Sequence, residues 1–283
     1  MVIGFIGIGT MGTPIVQNLL RKGFHVNVYA RRPTENLNKV ISGGASFSKS
    51  LQEVSTSSDV IMTCLPRPES SEEVILGETG ILRFMKKGSI IIELSTVPPS
   101  LIKRIGQTAS LYGVDVLDAP ISGGRKRAEE GTLTIIVGGE KEVFEKCLPI
   151  FQAIGQKIYY VGELGNGEKI KLINSLIANT NLLVALEGLK LAKNFSIDLK
   201  TIFDVIENST GQSWMWSNWI KAILNQEYLG VKLDIMIKDL RLAFSMTKEL
   251  GIEPEFCKLA IKIVEGHIRK VSGIADASFL YRE

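Results

Sequence analysis

Val2-Ile3-Gly4-Phe5-Ile6-Gly7-Ile8-Gly9-Thr10-Met11-Gly12 opens the chain. The apolar run Val2–Ile6 leads directly into the spacing Gly-x-Gly-x-x-Gly, carried by Gly7, Ile8, Gly9, Thr10, Met11 and Gly12. Its glycines answer three demands: a tight turn out of a strand, a bare backbone where a pyrophosphate can approach, and close packing of the next helix on the sheet. The spacing alone is weak. Here it follows a strand-like run, opens a helical pattern from Pro14 to Leu20 and precedes a second β-branched run, His25–Tyr29, which is the context the motif requires. A dinucleotide-binding unit is expected; an ordinary tight turn is the competing reading.

Working outward, short apolar runs alternate with amphipathic stretches as far as residue 160 or so. The predicted strands are Val2–Ile6, His25–Tyr29, Asp59–Thr63, Ser89–Glu93, Asp115–Asp118, Thr132–Val137 and Lys157–Val161. Continuous runs such as Ile90-Ile91-Ile92 and Ile135-Ile136-Val137 suit parallel strands buried on both faces. After Gly165 the strand signal vanishes and helical periodicity takes over, from a long segment Glu168–Lys193 through Leu199–Glu207, Ser213–Leu224, Lys232–Leu250 and Pro254–Lys270. The expected fold is α/β: a Rossmann-type, doubly wound parallel sheet over residues 1–163, joined by a long helix to an all-α domain over residues 164–283.

Composition narrows the function. The 283 residues carry 33 basic and 30 acidic side chains, spread without a block that would mark a nucleic-acid footprint. No uninterrupted apolar run reaches the roughly 18 residues of a membrane span, and the N-terminus lacks the pattern of a signal peptide; a cytoplasmic protein is expected. Cys64, Cys147 and Cys257 lie far apart, which argues against a zinc site or a disulfide framework, and no metal site is expected. His25 and His267 are the only histidines, and each stands alone in a strand-like or helix-like pattern, so a general acid must come from another residue type.

About twenty residues past the glycines, an NAD site would place an acid against the ribose 2′-hydroxyl. This chain has Tyr29-Ala30-Arg31-Arg32 instead. The forked guanidiniums of Arg31 and Arg32 suit the 2′-phosphate of NADP(H), with NAD left open and solvated loop arginines as the alternative. Leu65 and Pro66 follow the third strand and Thr96 the fourth, at the carboxyl edge where such sheets bind ligands. Trp214, Trp216 and Trp219 cluster with Met215; core or subunit packing is expected, the alternative being that Trp214 walls a pocket.

Four segments carry a resemblance. Phe5–Gly12, then Asp118-Ala119-Pro120-Ile121-Ser122-Gly123-Gly124 with Gly131-Thr132-Leu133, then Gly165-Asn166-Gly167 with Lys171 and Asn174, then Lys238-Asp239-Leu240, together resemble the β-hydroxyacid dehydrogenase family over nearly the whole chain. From the residues alone, Ser122-Gly123-Gly124 offers a hydroxyl and unhindered amides fit for a carboxylate, or a plain turn, and Lys171 shares a helical face with Asn174 and Ser175 but reads equally as a solvated lysine. The resemblance implies that Ser122, Gly123 and Gly124 hold the substrate carboxylate, that Lys171 rather than Lys169 is the acid and base, that Asn174 orients the substrate, and that Lys238 and Asp239 lie near the cleft, Lys238 on the cofactor side. Thr96 is a candidate for both substrate and cofactor. Ser175 stands where many family members carry Asn or Gln, so the substrate's size or shape is expected to differ.

The function this implies is NAD(P)-dependent hydride transfer between nicotinamide and a small β-hydroxy acid or semialdehyde, of the 3-hydroxyisobutyrate dehydrogenase kind, or the reduction of glyoxylate, succinic semialdehyde or tartronate semialdehyde. A small carboxylate substrate and a homodimer or homotetramer are expected. A phosphogluconate-type enzyme would need a larger helical domain, an imine reductase another acid in place of Lys171, and a non-catalytic dinucleotide-binding module would have no use for the lysine.

Overall fold

A computed structural model describes residues 1–282, the side chains of Glu249 and Arg282 aside. The chain divides into two compact units, Met1–Lys171 and Leu172–Glu283. In the first, β1 (Val2–Ile6), β2 (His25–Tyr29), β3 (Ser46–Phe47), β4 (Val60–Thr63), β5 (Ile90–Glu93) and β6 (Asp115–Asp118) form a six-stranded sheet in the order β3-β2-β1-β4-β5-β6. Every pairing in it is parallel. Its helices are α1 (Gly12–Arg21), α2 (Glu35–Ser42), α3 (Leu51–Thr56), α4 (Pro68–Leu76), α5 (Pro99–Leu111), α6 (Gly124–Glu130) and α7 (Lys141–Ile154). The strand order reverses between β1 and β4, and a crevice at the carboxyl end of such a reversal is where doubly wound sheets take ligands.

The apolar runs read as expected. Ile90 and Ile92 join one core with Ile3, Phe5, Val60 and Met62, whereas Ile91 joins a core on the opposite face with Ile6, Ile61, Ile102 and Ile105. Each such side chain contributes about 1.5–3 kcal/mol on burial, so both faces of the sheet are covered and neither admits a charge without partners.

One expectation is corrected. The predicted strands Thr132–Val137 and Lys157–Val161 do not extend the parallel sheet. They form a separate three-stranded sheet of β7 (Ile121–Ser122), β8 (Leu133–Val137) and β9 (Gly155–Tyr160), with β7 antiparallel to β8. The cause lies at the end of β6, where Asp118 makes an antiparallel bridge to Gly138 and the Pro120 carbonyl accepts the Ile136 amide at 3.1 Å. The chain thereby turns back along β8. β3 and β7 had no periodicity to reveal them, each being two residues long.

Helix α8 (Asn166–Asn194) begins in the first unit and continues into the second, which also holds α9 (Leu199–Glu207), α10 (Lys221–Leu224), α11 (Leu233–Glu249), α12 (Glu255–Val271) and α13 (Phe279–Arg282). α8 is 29 residues long with a window of mean hydropathy 1.3, so by length and composition it is able to cross a membrane even though polar residues interrupt it. Within the second unit, however, its Leu182, Leu186 and Leu189 are buried in a core with Trp216, Ile220, Leu233, Leu240 and Val264. A buried leucine stripe is the ordinary property of a core helix. Trp216 stacks on Phe203 and donates its indole N–H to the Phe203 carbonyl at 3.1 Å, whereas Trp214 is 41% exposed. The predicted helix Ser213–Leu224 is present from 214 to 224, with a π-helical stretch, Trp216–Ile220, inside it ahead of α10.

The first turn of α8 is fastened to β6. Asp118, fully buried at the strand's end, accepts the Gly165 amide on Oδ1 and the Glu168 amide on Oδ2, each at 2.8 Å. Asp118→Asn keeps one acceptor and turns an NH2 donor toward the other amide. It is expected to destabilise the protein by about 1–3 kcal/mol, read as a lower midpoint in urea.

Candidate active site

At the carboxyl edge of β1, Gly7 takes φ +109°, and a Cβ on Gly12 would collide with the Gly7 carbonyl oxygen. These two positions admit only glycine. Gly9 differs, because nothing lies within 4 Å of where its Cβ would stand. The space over Gly9 opens at the start of α1, whose N-cap Met11 makes no side-chain cap bond and whose first turn has no acid. An open backbone beside an uncapped helix start favours an anion through the aligned peptide dipoles, so the residues present fit the pyrophosphate of a dinucleotide. Leu65 and Pro66 border the same edge, half-buried and exposed respectively, and the Leu65 amide donates to Ser95 Oγ at 2.7 Å.

Arg31 and Arg32 both lie exposed beyond β2. Arg31 faces Glu73 of α4 at 3.7 Å, with the two side chains 70% and 71% exposed. A pair this open and long is worth little.

The loop after β5, which carries Thr96, is held from two sides by buried carboxyls. Glu93 Oε1 accepts the Ser95 amide at 2.8 Å and Glu168 Oε2, from α8, accepts the Val97 amide at 3.2 Å. Both glutamates are fully buried. Burial pushes the Glu93 carboxyl above its ordinary value; the Ser95, Ser71 and Thr63 groups beside it pull the other way, yet the Ser71 and Thr63 hydroxyls close no hydrogen bond to it. Burial likewise raises Asp118, against the opposing pull of the Gly165, Glu168 and Gly167 amides.

Ser122 and Gly123 follow β6 by way of Ala119-Pro120, and both are half-buried, as is Gly124. Lys171 stands one turn after Glu168, half-buried, while Lys169 donates to Asn166 Oδ1 at 2.9 Å. Ser122, Thr96 and Lys171 thus belong to segments that converge on Asp118 and Glu168. In the second unit Asn174 is exposed, whereas Ser175 is buried and donates to Asp239 Oδ2 at 3.2 Å; Asp239 in turn pairs with Lys238 at 3.0 Å. The small hydroxyl of Ser175 is therefore engaged by Asp239.

Burial pushes the Cys147 thiol up to about 12 and raises Cys257 as well, so neither is a thiolate near neutrality. Among the described residues no cluster of three His, Cys, Asp or Glu side chains is placed to hold a metal. Asp118, Glu93 and Glu168 are the functional residues that sequence reasoning missed as such. An acid closing the buried runs Ile90-Ile91-Ile92-Glu93 and Asp115-Val116-Leu117-Asp118 was the available signal, since a buried carboxyl demands hydrogen-bond partners.

Comparison with known proteins identifies the lineage. Residues 2–162 match the family model for the NAD-binding domain of 6-phosphogluconate dehydrogenase, and residues 165–283 match that for NAD-binding of NADP-dependent 3-hydroxyisobutyrate dehydrogenase. The 2-(hydroxymethyl)glutarate dehydrogenase of Eubacterium barkeri is 38% identical over 267 residues, covering 93% of this chain and 88% of the relative. The chain belongs to the β-hydroxyacid dehydrogenase family. Another β-hydroxyacid dehydrogenase, the 2-hydroxy-3-oxopropionate reductase of Escherichia coli strain K12, is 34% identical over 256 residues, covering 89% of this chain and 86% of the relative. The 3-hydroxyisobutyrate dehydrogenase of Mycobacterium tuberculosis, solved with L-serine, superposes with a TM-score of 0.89 at 26% identity, covering 99% of this chain and 98% of the other. This β-hydroxyacid dehydrogenase is an NAD(P)-dependent oxidoreductase.

The glycine geometry separates folding from binding. Gly12→Ala is expected to lower the melting temperature and abolish dinucleotide binding, because backbone must move. Gly9→Ala leaves the melting temperature nearly unchanged and weakens NADPH binding, measured by fluorescence titration.

Proposed function

We propose that this β-hydroxyacid dehydrogenase interconverts a small β-hydroxy acid and its semialdehyde with NADP(H), using Lys171 as general acid and base. The observation that carries the reading is the anchoring of Lys171 in a helical turn whose preceding amides are fixed by the Asp118 carboxylate. When bound over Gly9, the nicotinamide cofactor supplies or accepts the hydride. The chain's own residues do the rest. Ser122, Gly123 and Gly124 bind the substrate carboxylate, Asn174 and Thr96 orient the substrate, and the Lys171 ammonium gives a proton to the carbonyl oxygen during reduction and recovers it during oxidation. Arg31 and Arg32 answer the 2′-phosphate, and Lys238 adds positive charge on the cofactor side.

The substrate has the form of 3-hydroxyisobutyrate; tartronate semialdehyde, glyoxylate and succinic semialdehyde are the alternatives to screen. Residues 164–283 serve as the substrate and oligomerisation domain of a cytoplasmic homodimer or homotetramer.

Lys171→Ala is expected to cut turnover by about 10²–10⁴-fold, the usual contribution of general acid catalysis, with NADPH binding nearly intact. Lys169→Ala, whose lysine is engaged by Asn166, keeps its turnover. Steady-state kinetics on both variants decides between them, and full activity in Lys171→Ala would remove the lysine from the mechanism. Arg31→Ala is expected to raise the Michaelis constant for NADPH far more than that for NADH, because a charge-assisted contact contributes about 1.5–3 kcal/mol. Equal effects on the two cofactors would make Arg31 a bystander.

A further inference from the structure

The last residues of three neighbouring strands stand in one row. Parallel register pairs Thr63 of β4 with Glu93 of β5, and Glu93 with Asp118 of β6. Two residues earlier, the same strands place Ile61, Ile91 and Val116 in the core that α4 and α5 cover. Side chains alternate along a strand, so Thr63, Glu93 and Asp118 belong to that same face. All three are fully buried. An apolar layer is thus topped by a hydroxyl and two carboxyls, the acids on strands roughly 4.8 Å apart.

The two acids are provided for unequally. Asp118 has an amide on each oxygen, from Gly165 and Glu168. Glu93 has one, the Ser95 amide on Oε1, while Oε2 meets no donor and the buried hydroxyls of Thr63 and Ser71 beside it meet no partner. Hydroxyls both donate and accept, so they suit a charged or a neutral carboxyl. The neighbour decides. Two buried carboxyls this close disfavour being charged together, and the one richer in amides keeps the charge. Among the described residues neither acid has a cation as partner. Arg67, Glu69 and Glu73 at α4 and Lys103 and Arg104 on α5 are exposed, and Glu72 pairs with Arg104. Glu168 of α8 gives its amide to Asp118 and its carboxyl to the Val97 amide. Burial pushes Glu93 and Asp118 both upward, but only Asp118 has an amide on each oxygen to oppose it.

What Glu93 holds is the carboxyl edge of the sheet. It fixes the Ser95 amide, and the Ser95 hydroxyl accepts the Leu65 amide at 2.7 Å, so one carboxyl sets the ends of both β4 and β5. We propose that Glu93 is a positioning residue for the dinucleotide, a neutral acid that holds the Leu65 and Thr96 segments while Asp118 carries the single charge of the row. The inference rests on the reading of this edge as the cofactor site.

The positioning role is tested by NADPH affinity, measured by fluorescence titration. Glu93→Leu leaves the Ser95 amide without its acceptor and is expected to weaken NADPH binding about tenfold or more. Glu93→Gln keeps a carbonyl for that amide and an NH2 in place of the acid proton, and it restores the affinity that Glu93→Leu loses. Undiminished binding in Glu93→Leu overturns the positioning role, and an equal loss in both variants overturns the neutral acid. Should Glu93→Leu fail to fold, Ser95→Ala cuts the same relay at Leu65 and is held to the same outcome.

The charge is read separately. The folded chain keeps the Glu93 proton that the unfolded chain releases in the ordinary carboxylate range, so the wild-type protein loses stability as pH rises from that range towards neutrality, and Glu93→Gln is spared this loss. The urea midpoint of Glu93→Gln is therefore expected to gain on that of the wild-type protein with rising pH; a constant gap overturns the proposal. Should Glu93→Gln fail to fold, the infrared spectrum of the wild-type protein at neutral pH replaces it: the carbonyl band of a protonated carboxyl is expected, and its absence overturns the neutral acid. A wild-type protein that does not bind NADPH defeats the cofactor reading of this edge, whereas the pH and infrared results decide the charge of Glu93 on their own.

Discussion

The carboxylate of Asp118 closes a strand buried on both sides, in surroundings where an unpartnered charge would cost several kcal/mol. It is tolerated because its two oxygens take the amides of Gly165 and Glu168. Those amides belong to the start of a 29-residue helix, where peptide N–H groups lack intrahelical acceptors and the aligned dipoles favour negative charge. Each solves the other's problem: the acid caps the helix and the helix solvates the acid. The consequence is geometric. A lysine one turn further on inherits a fixed position relative to the strand end, and the Ser122 segment leaves that same strand end along the main chain.

A second restraint of the same kind governs the loop after β5. Its Ser95 and Val97 amides go to two buried glutamates, one from the strand beneath it and one from α8, with Thr96 between them. Ser95 passes the restraint on through its hydroxyl to the Leu65 amide. The ends of β4, β5 and β6 and the first turn of α8 are therefore bound by carboxyl and hydroxyl groups rather than by apolar packing alone. Such contacts are directional, and a site that must align a carbonyl, a hydride donor and a proton donor needs direction more than it needs cohesion.

The same economy appears at α6. Asn18 and Arg21 lie on the helix that the glycine motif opens, and they hold the helix that follows Ser122-Gly123-Gly124. One helix thus carries the glycine loop at its start and restrains α6 near its end. The Arg127 stem lies over Gly123, where an added Cβ would stand 2.6 Å from Arg127 Cδ.

What the sequence determined by itself was whatever depends on residues near one another in the chain. Five of the six parallel strands, the glycine turn and the helical periodicity after Gly165 were legible because a strand buried on both faces and an amphipathic helix each impose a local period on apolar residues. Lys171 was selected over Lys169 by its spacing from Gly167 and its family resemblance. Two-residue strands carry no period, and so β7 and the separate antiparallel pairing with β8 stayed hidden. The partners of Asp118, Glu93, Glu168 and Ser175 were hidden for a further reason. A buried carboxyl announces that it needs hydrogen bonds but not which amides supply them; Asp118 finds its own about fifty residues away, Glu168 finds Val97 and Ser175 finds Asp239. Only the tertiary structure decided these pairings, because hydrogen bonds follow distance and direction in space, whereas sequence pattern records only which face of an element is apolar.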